Sequence, residues 1–579
     1  MPVTTSQDAT VTNILGLLTC AAVSLSTASF ASAERGRDGQ VNIIYWQAPS
    51  ILNPYLSGGI KELEAASLVL EPLARYDETG TIVPWLVDDV PTLENGGVAE
   101  DMMSITWVLS EGVTWSDGTP LTSADVKFSW TYCTAEGGGC AKLEKYKGIT
   151  DIETPDDRTV VIRFDGPKPF PYDAFVGAGA PILQAAQFAD CLGPRAPECA
   201  AENFAPIGTG PFVVSDFRPN DVAVFEANPN YRDPDKPAFA RVILKGGGDA
   251  AAAGRAVLET GEFDYAWNLQ LAPEVLGTME AAGKGVVVSA FGTLVERLVL
   301  NLTDPSSDLG AGRSTTENPH PILSDPAVRQ ALSKAIDRAL LVEIGYGSTG
   351  QTTCNILNAP QIYASAANDG CLTQDVDGAK ALLDAAGWVD SNGNGIRDKD
   401  GVELSLLFQT STNAVRQDFQ ALIKQWWSDI GVETELRNIN ASVFFGSDPG
   451  SPDTYQKFFA DVQMFAASFD GTDPEAFLAG WRCDKIPSPE NQWQGSNISR
   501  FCSADYDLLT EEMERTGVLE KRAQLAKAMN DMLIQGYILL PLVDRGRVSA
   551  HANSLGGVIL STWDSELWNI ADWYRKSTN

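Results

Sequence analysis

Residues 203–232 read NFAPIGTGPFVVSDFRPNDVAVFEANPNYR, and the punctuation of this stretch dictates its shape. A Gly208-Thr209-Gly210-Pro211 turn feeds an apolar strand, Pro219-Asn220-Asp221 reverses the chain, and a second alternating strand ends at Asn228-Pro229-Asn230-Tyr231. The stretch predicts a β-hairpin with a tightly specified entrance. Before it, short apolar runs separated by Pro and Gly occupy residues 41–90. Further β-type runs at 105–109 and Thr159–Phe164 flank a helix near 123–132. After it, residues 298–302 read as a strand and the pattern then turns helical. Asp325 is placed to cap a helix that Pro326 opens, with Val328, Leu332, Ala335, Ile336 and Leu340 at helical spacing. Helices are expected over 375–386, stopped by Gly387, and over 415–430, stopped by Gly431. Strands at 404–408 and 434–436 alternate with them, and a last long helix, Leu519–Gln535, leads into a strand at 537–543.

The chain has 579 residues, too many for one compact core, which predicts several domains of mixed α and β structure. Its 76 acidic and 42 basic residues leave a formal charge of -34. Such a field repels nucleic acid and anionic membrane surfaces, so neither is expected as a partner. Residues 1–33 read as a secretion signal, with an apolar stretch over 14–28 and Ala31-Ser32-Ala33 as the cleavage site, although no Lys or Arg precedes Arg35. Leu17-Leu18-Thr19-Cys20 resembles a lipidation site with Thr19 at an unfavoured position, so the lipid-free form is expected. No later run has the length of a membrane span. The eight cysteines beyond Cys20 fall into neighbours in sequence: Cys133 with Cys140, Cys191 with Cys199, Cys354 with Cys371, and Cys483 with Cys502. Four local disulfides in an oxidising compartment are the simplest reading.

Six further segments accompany the hairpin in a fixed order: Leu52-Asn53-Pro54-Tyr55, EPLARYDETGTIVPWLV (71–87), ITWVLSEGVTWSDGTPLTSADVKFSW (105–130), HPILSDPAVRQALSKAIDRALL (320–341), AKALLDAAGW (379–388), and Cys483 with GSNISRFC ending at Cys502. Together they resemble the peptide, opine and nickel class of extracytoplasmic solute-binding proteins, family 5, the receptors of ABC importers. The resemblance implies the type II periplasmic binding protein fold: two α/β lobes joined by two crossing strands, with an inserted accessory α+β domain. It implies lobe I from 34–70, 199–296 and 544–579, the accessory domain from 71–198, and lobe II from 297–543. It also implies a monomer in the periplasm, a permease as partner, and a disulfide between Cys483 and Cys502. Capture is expected rather than catalysis: two histidines and no phosphate loop or nucleophile motif leave little for an enzyme. Gly345 to Gly350 has dinucleotide-loop spacing but follows a helix, so it reads as a helix-ending loop.

The resemblance implies a site as well. In peptide-binding relatives an acidic residue three before the Asp/Glu-Pro step pairs with the ligand's ammonium, and Asp470 stands there before Asp473-Pro474. Dipeptide binders carry an Arg for the ligand carboxylate where this chain has Thr410, and a Trp where it has Ala467. Longer peptides are therefore favoured over dipeptides, with another cationic solute, an opine or an oligosaccharide as alternatives. A solute-binding chaperone or sensor is the other class of answer. Trp46, Phe465, Phe469, Trp481 and Trp493 are the aromatic candidates, Trp46 and Trp481 foremost. No cofactor is expected, apart from a candidate structural calcium at Asp390, Asn392, Asn394 and Asp398, where the twelfth position is Gly401 instead of the Glu a calcium loop requires.

Overall fold

The computed structural model describes residues 34–446, 448–469 and 471–577. The expected signal, with Cys20, and Asp470 lie outside them. Two large sheets organise the rest. A seven-stranded sheet runs in the order Gly285–Ala290, Arg547–Ala552, Tyr265–Ala266, Gln40–Tyr45, Arg241–Gly246, Val222–Ala227, Phe212–Arg218. A six-stranded sheet runs Gly350–Thr352, Leu539–Arg545, Val295–Leu300, Val462–Ala467, Ser405–Ser411, Glu433–Ile439. A three-stranded antiparallel sheet, Ser104–Val108, Thr159–Phe164 and Ile149–Glu153, forms the accessory region and carries its own apolar core around Trp107 and Trp115. The fold is the expected two-lobed type II arrangement.

The opening hairpin is the edge of the first sheet. Phe212–Arg218 pairs antiparallel with Val222–Ala227, and Asn220 takes a positive φ at the turn. Its Gly-Thr-Gly entrance is a packing requirement. A Cβ on Gly208 would lie 1.9 Å from the Val69 carbonyl oxygen, and one on Gly210 2.7 Å from those of Leu68 and Val69. The space is used: Gly210 donates its N–H to Val69 O at 2.9 Å. Thr209 and Arg232, at the two ends of the motif, both donate to the buried carboxylate of Glu71, which Trp85 also contacts. Burial raises the Glu71 carboxyl, but Arg232, Thr209 and Arg75 outweigh it and hold it below the usual range. The motif thus ties lobe I to the accessory region through one charged hub.

The chain passes from the first sheet to the second through residues 291–294 and returns at Gly546, between Leu539–Arg545 and Arg547–Ala552. These crossings lie a few residues outside the boundaries expected at 296/297 and 543/544. The single helix expected from Pro326 through Leu340 is two, Pro326–Lys334 and Arg338–Gly345. Asp337 breaks it, because its side chain accepts from Leu340 N as an N-cap and starts a new helix. Residues 375–386 and 415–430 form helices within a residue of expectation, Val376–Ala385 and Ala414–Asp429, and Leu519–Gln535 has the expected bounds. All four cysteine pairs are bonded, with Cα atoms 5.1, 5.9, 5.8 and 4.6 Å apart in chain order.

Asp544 sits just before the return crossing, with its Oδ1 shut off from water and without a hydrogen-bond partner among the described residues. Burial pushes its carboxyl up to about 7. An acid raised in the native state keeps its proton there first, so its stabilising contribution is complete below about pH 4 and is lost as pH rises toward 7. Asp544→Asn, which cannot ionise, should therefore melt above the parent at about pH 8 and lose that margin at about pH 4. Thermal unfolding at both pH values checks this, and an equal margin at both would show that Asp544 does not titrate in this way.

Candidate functional site

Between the sheets lies a cleft walled by all three regions. The lobe I wall is residues 58–60, set in place by the Asn53-Pro54-Tyr55 turn. Asn53 caps that turn through Tyr55 N and donates to Tyr132 and Asn203. The accessory wall is the short helical turn Leu143–Tyr146 with Lys142 and Asp173, steadied by the Cys133–Cys140 bond just before it. The lobe II wall comes from the strands Val295–Leu300 and Val462–Ala467, the helix Glu475–Ala479, and Ser496 and Ile498 inside the Cys483–Cys502 loop. The enclosed space, counting its solvent-open mouth, is about 1340 Å³. A narrower space of about 630 Å³, also open to solvent, continues it toward the crossings and shares residues 58–60, Phe445 and Ala466 with it.

At the crossing end the polar groups are interlocked. Glu296 accepts from Arg416 at 2.6 and 3.2 Å and lies 3.7 Å from Arg545. Arg545 and Tyr346 of lobe II bond Asn268 and Gln270 of lobe I. At the open end, ion pairs join the accessory region to lobe II: Lys168 to Glu475, Lys147 to Glu514, and Lys485 to Glu144. Glu475 also receives Arg522 at 2.8 Å. Burial raises the Glu475 carboxyl, but Lys168 and Arg522 outweigh it and hold it low. Ser442 reaches Asn220 of the opening hairpin on the far side. The lobes are therefore closed on each other.

One cation breaks the pattern of pairing. Arg297 lines the larger cavity and is 3% exposed, yet its Nε and Nη1 have no hydrogen-bond partner among the described residues. Its guanidinium lies 5.5 Å from the rings of Phe477 and Trp481 and 5.8 Å from that of Phe465. Such contacts favour the charge without satisfying its N–H groups.

Of the residues expected in the site, Phe465, Phe469 and Trp481 line this cavity together. Trp46 does not line either space; it packs with Ile44 and Ala253 of lobe I and donates to Asn268 O. Thr410 is wholly buried in the second sheet, its hydroxyl donating to Met464 O, because strand alternation turns it into the protein and away from the cleft. Trp493 packs edge-on against Phe459. In the calcium candidate, Asp390 accepts from the N–H groups of Gly393, Asn394 and Gly395, and Asp398 from Ser391, so the turn itself draws on these oxygens. Among the described residues, the one trio of His, Cys, Asp or Glu groups close enough to share an ion is Cys191, Cys199 and Glu202, whose sulfurs are bonded to each other. His320 is buried against Asp461 and His551 bonds Ala552 O; neither lines the cleft. Residues 345–350 end a helix, as expected.

The sequence reading missed Arg297, Glu296 and Arg416. A signal was present: adjacent opposite charges inside the apolar run VERLVL, where each must find a partner or a purpose.

The family model described as bacterial extracellular solute-binding proteins, family 5, matches residues 81–487. A Brucella ovis protein named as an ABC transporter peptide-binding protein is 25% identical over 438 residues, 74% of this chain and 73% of its own. The nickel-binding periplasmic protein of Escherichia coli is 26% identical over 444 residues, 76% of each chain. The structure of the oligopeptide-binding protein of Bacillus subtilis, in complex with a nonapeptide, superposes with a TM-score of 0.80 at 18% identity, covering 94% of this chain and 100% of that one.

If the ion pairs at the mouth hold the lobes together, Glu475→Gln should open the cleft, since removing one partner of a buried pair costs about 3–5 kcal/mol. Small-angle scattering of the ligand-free variant should give a larger radius of gyration than the parent; an unchanged radius would assign closure to the crossing end alone.

Proposed function

The chain belongs to the family 5 bacterial extracellular solute-binding proteins, and we propose that within this family it captures peptides, oligopeptides in particular, and delivers them to an ABC transporter permease. The observation that carries this reading is the cleft itself, a space walled by both lobes and the accessory region, with charged side chains from the accessory region and aromatic ones from lobe II. Its walls offer rings for side chains beside polar groups for a backbone. The peptide named for the Brucella relative and the nonapeptide in the Bacillus structure support the same reading.

The mechanism is linkage. A ligand that touches both lobes binds the closed form better than the open one and shifts the population toward closure by that difference in affinity. The permease then distinguishes closed from open, and the importer supplies the energy. No bond in the ligand need break. The disulfides suit an oxidising compartment such as the periplasm, and no described helix is long and apolar enough to cross a membrane. A nickel role would need the ion's ligands to come from elsewhere, because neither histidine reaches the cleft. Thr410 itself offers no clamp for a ligand carboxylate, its hydroxyl being tied to Met464 O.

Native mass spectrometry of residues 34–579, produced in a periplasm and purified gently, should show a spread of adducts that fragment as peptides. One discrete non-peptide mass would replace this reading with a specialised solute. On the resemblance of its sequence position, Asp470 pairs with the peptide ammonium. Asp470→Asn should then weaken capture of a defined peptide by about tenfold or more. Calorimetry that finds the affinity within about threefold would remove Asp470 from the site.

A further inference from the structure

The strand Val295–Leu300 carries Glu296 and Arg297 side by side, and a strand sends successive side chains to opposite faces. Glu296 is spent on Arg416, Arg545 and Tyr346. Arg297 faces the larger cavity with its Nε and Nη1 unpaired among the described residues. Among the described residues Arg75 and Arg545 also keep unbonded nitrogens, but each lies beside a carboxylate, Asp564 and Glu296, and two further buried arginines are satisfied without one. Arg338, 1% exposed, donates to the carbonyls of Pro541, Ser333 and Cys371. Arg500, 4% exposed, donates to those of Ser314, Ile498, Gln456 and Lys457. Arg500 is satisfied by backbone, and Arg338 by backbone and the Ser333 hydroxyl; among the described residues Arg297 has only ring faces, which accept nothing in the plane of its fork.

We propose that Arg297 seats a carboxylate of the ligand, so that the cleft selects molecules carrying an anionic group beside apolar or aromatic bulk. The inference rests on the solute-receptor reading above and deepens it. A planar guanidinium offers parallel N–H donors that match a carboxylate edge to edge, and in a desolvated site that pairing is strong and directional. Burial lowers the guanidinium only to about 10, so it remains charged at neutral pH. Phe477 and Trp481 flank it on the cavity wall and present surface to the group that bears the carboxylate. A lone buried cation is costly in the empty cleft; a bound anion removes that cost and adds to the affinity difference that closes the lobes. The carboxylate can be a peptide's C-terminus, an acidic side chain, or that of a non-peptide acid.

The test uses the protein from residue 34 onward, as parent, Arg297→Lys and Arg297→Met, stripped of ligand by partial unfolding and refolding. The first probe is millimolar 3-phenylpropanoate against 3-phenylpropanamide, read by thermal unfolding. The acid should raise the parent's Tm and the amide should not, Arg297→Met should respond to neither, and Arg297→Lys should respond weakly. Without any probe, Arg297→Met should melt no lower than the parent, whereas an arginine that serves packing alone would leave the variant less stable. The second probe is a random pentapeptide pool without acidic residues, offered as free acids, as C-terminal amides, and as amides with one Glu added, read by native mass spectrometry. Preference for free acids by about tenfold or more assigns the C-terminus, and recovery of the Glu-bearing amides alone assigns a side chain. Equal capture of acids and amides overturns the Arg297 inference and leaves peptide capture standing. No peptide capture with the propanoate response intact overturns peptide capture and supports the anion seat. Identical responses of parent and Arg297→Met to acid and amide overturn the inference whatever the peptide pool shows.

Discussion

Two opposite charges on neighbouring residues of one buried strand cannot neutralise each other, because the pleat turns them to opposite faces. Glu296 and Arg297 impose that constraint on the first strand past the crossing, and much of the protein is arranged around it. On one face Glu296 gathers Arg416 and Arg545, and Arg545 reaches across to Asn268 of lobe I, so a buried carboxylate organises the point where the lobes meet. On the other face Arg297 enters the cleft with aromatic neighbours and no acceptor among the described residues. One charge is spent on structure, and the other is left for a ligand.

The same division of labour runs along the cleft. Its crossing end is joined by hydrogen bonds between the lobes, Arg545 to Asn268 and Gln270 to Tyr346. Its mouth closes through ion pairs contributed by the accessory region, which has no strand in either large sheet and meets lobe II through long Lys and Glu side chains. Such pairs form and part with little backbone change, as a receptor that must both hold and release requires. Disulfides stiffen two of the pieces that carry the walls: Cys133–Cys140 precedes the accessory turn and Cys483–Cys502 closes the loop bearing Ile498. Local covalent loops of this kind limit what must be ordered when ligand arrives.

The legible part of the site followed from chemistry that is local in sequence. Phe465, Phe469 and Trp481 were named from aromatic residues clustered about one strand end and one disulfide loop, and they share a cavity wall. Trp46 was named as an aromatic just past the first strand, and Thr410 by alignment with the Arg of dipeptide binders. Thr410 faces the way its place in the strand Ser405–Ser411 dictates, and a shift of one residue reverses that face; Trp46 follows the end of the strand Gln40–Tyr45 and turns back onto lobe I. The helix broken at Asp337 has the same lesson: apolar spacing continued through it, but a capping carboxylate outweighed the spacing.

Sequence alone determined most of the long helices, the turn-bounded hairpin and the neighbouring cysteines that bond. These depend on backbone sterics and short-range periodicity, which a chain carries in its local order. Only the tertiary structure decided that Glu296 is paired while Arg297 has no partner among the described residues, that Glu71 bonds Arg232 161 positions away, and that the cleft has three walls. Those facts depend on which distant carboxylates and carbonyls reach a buried charge, and the cost of leaving one unpaired is set by surroundings that exist only once the lobes have folded and met.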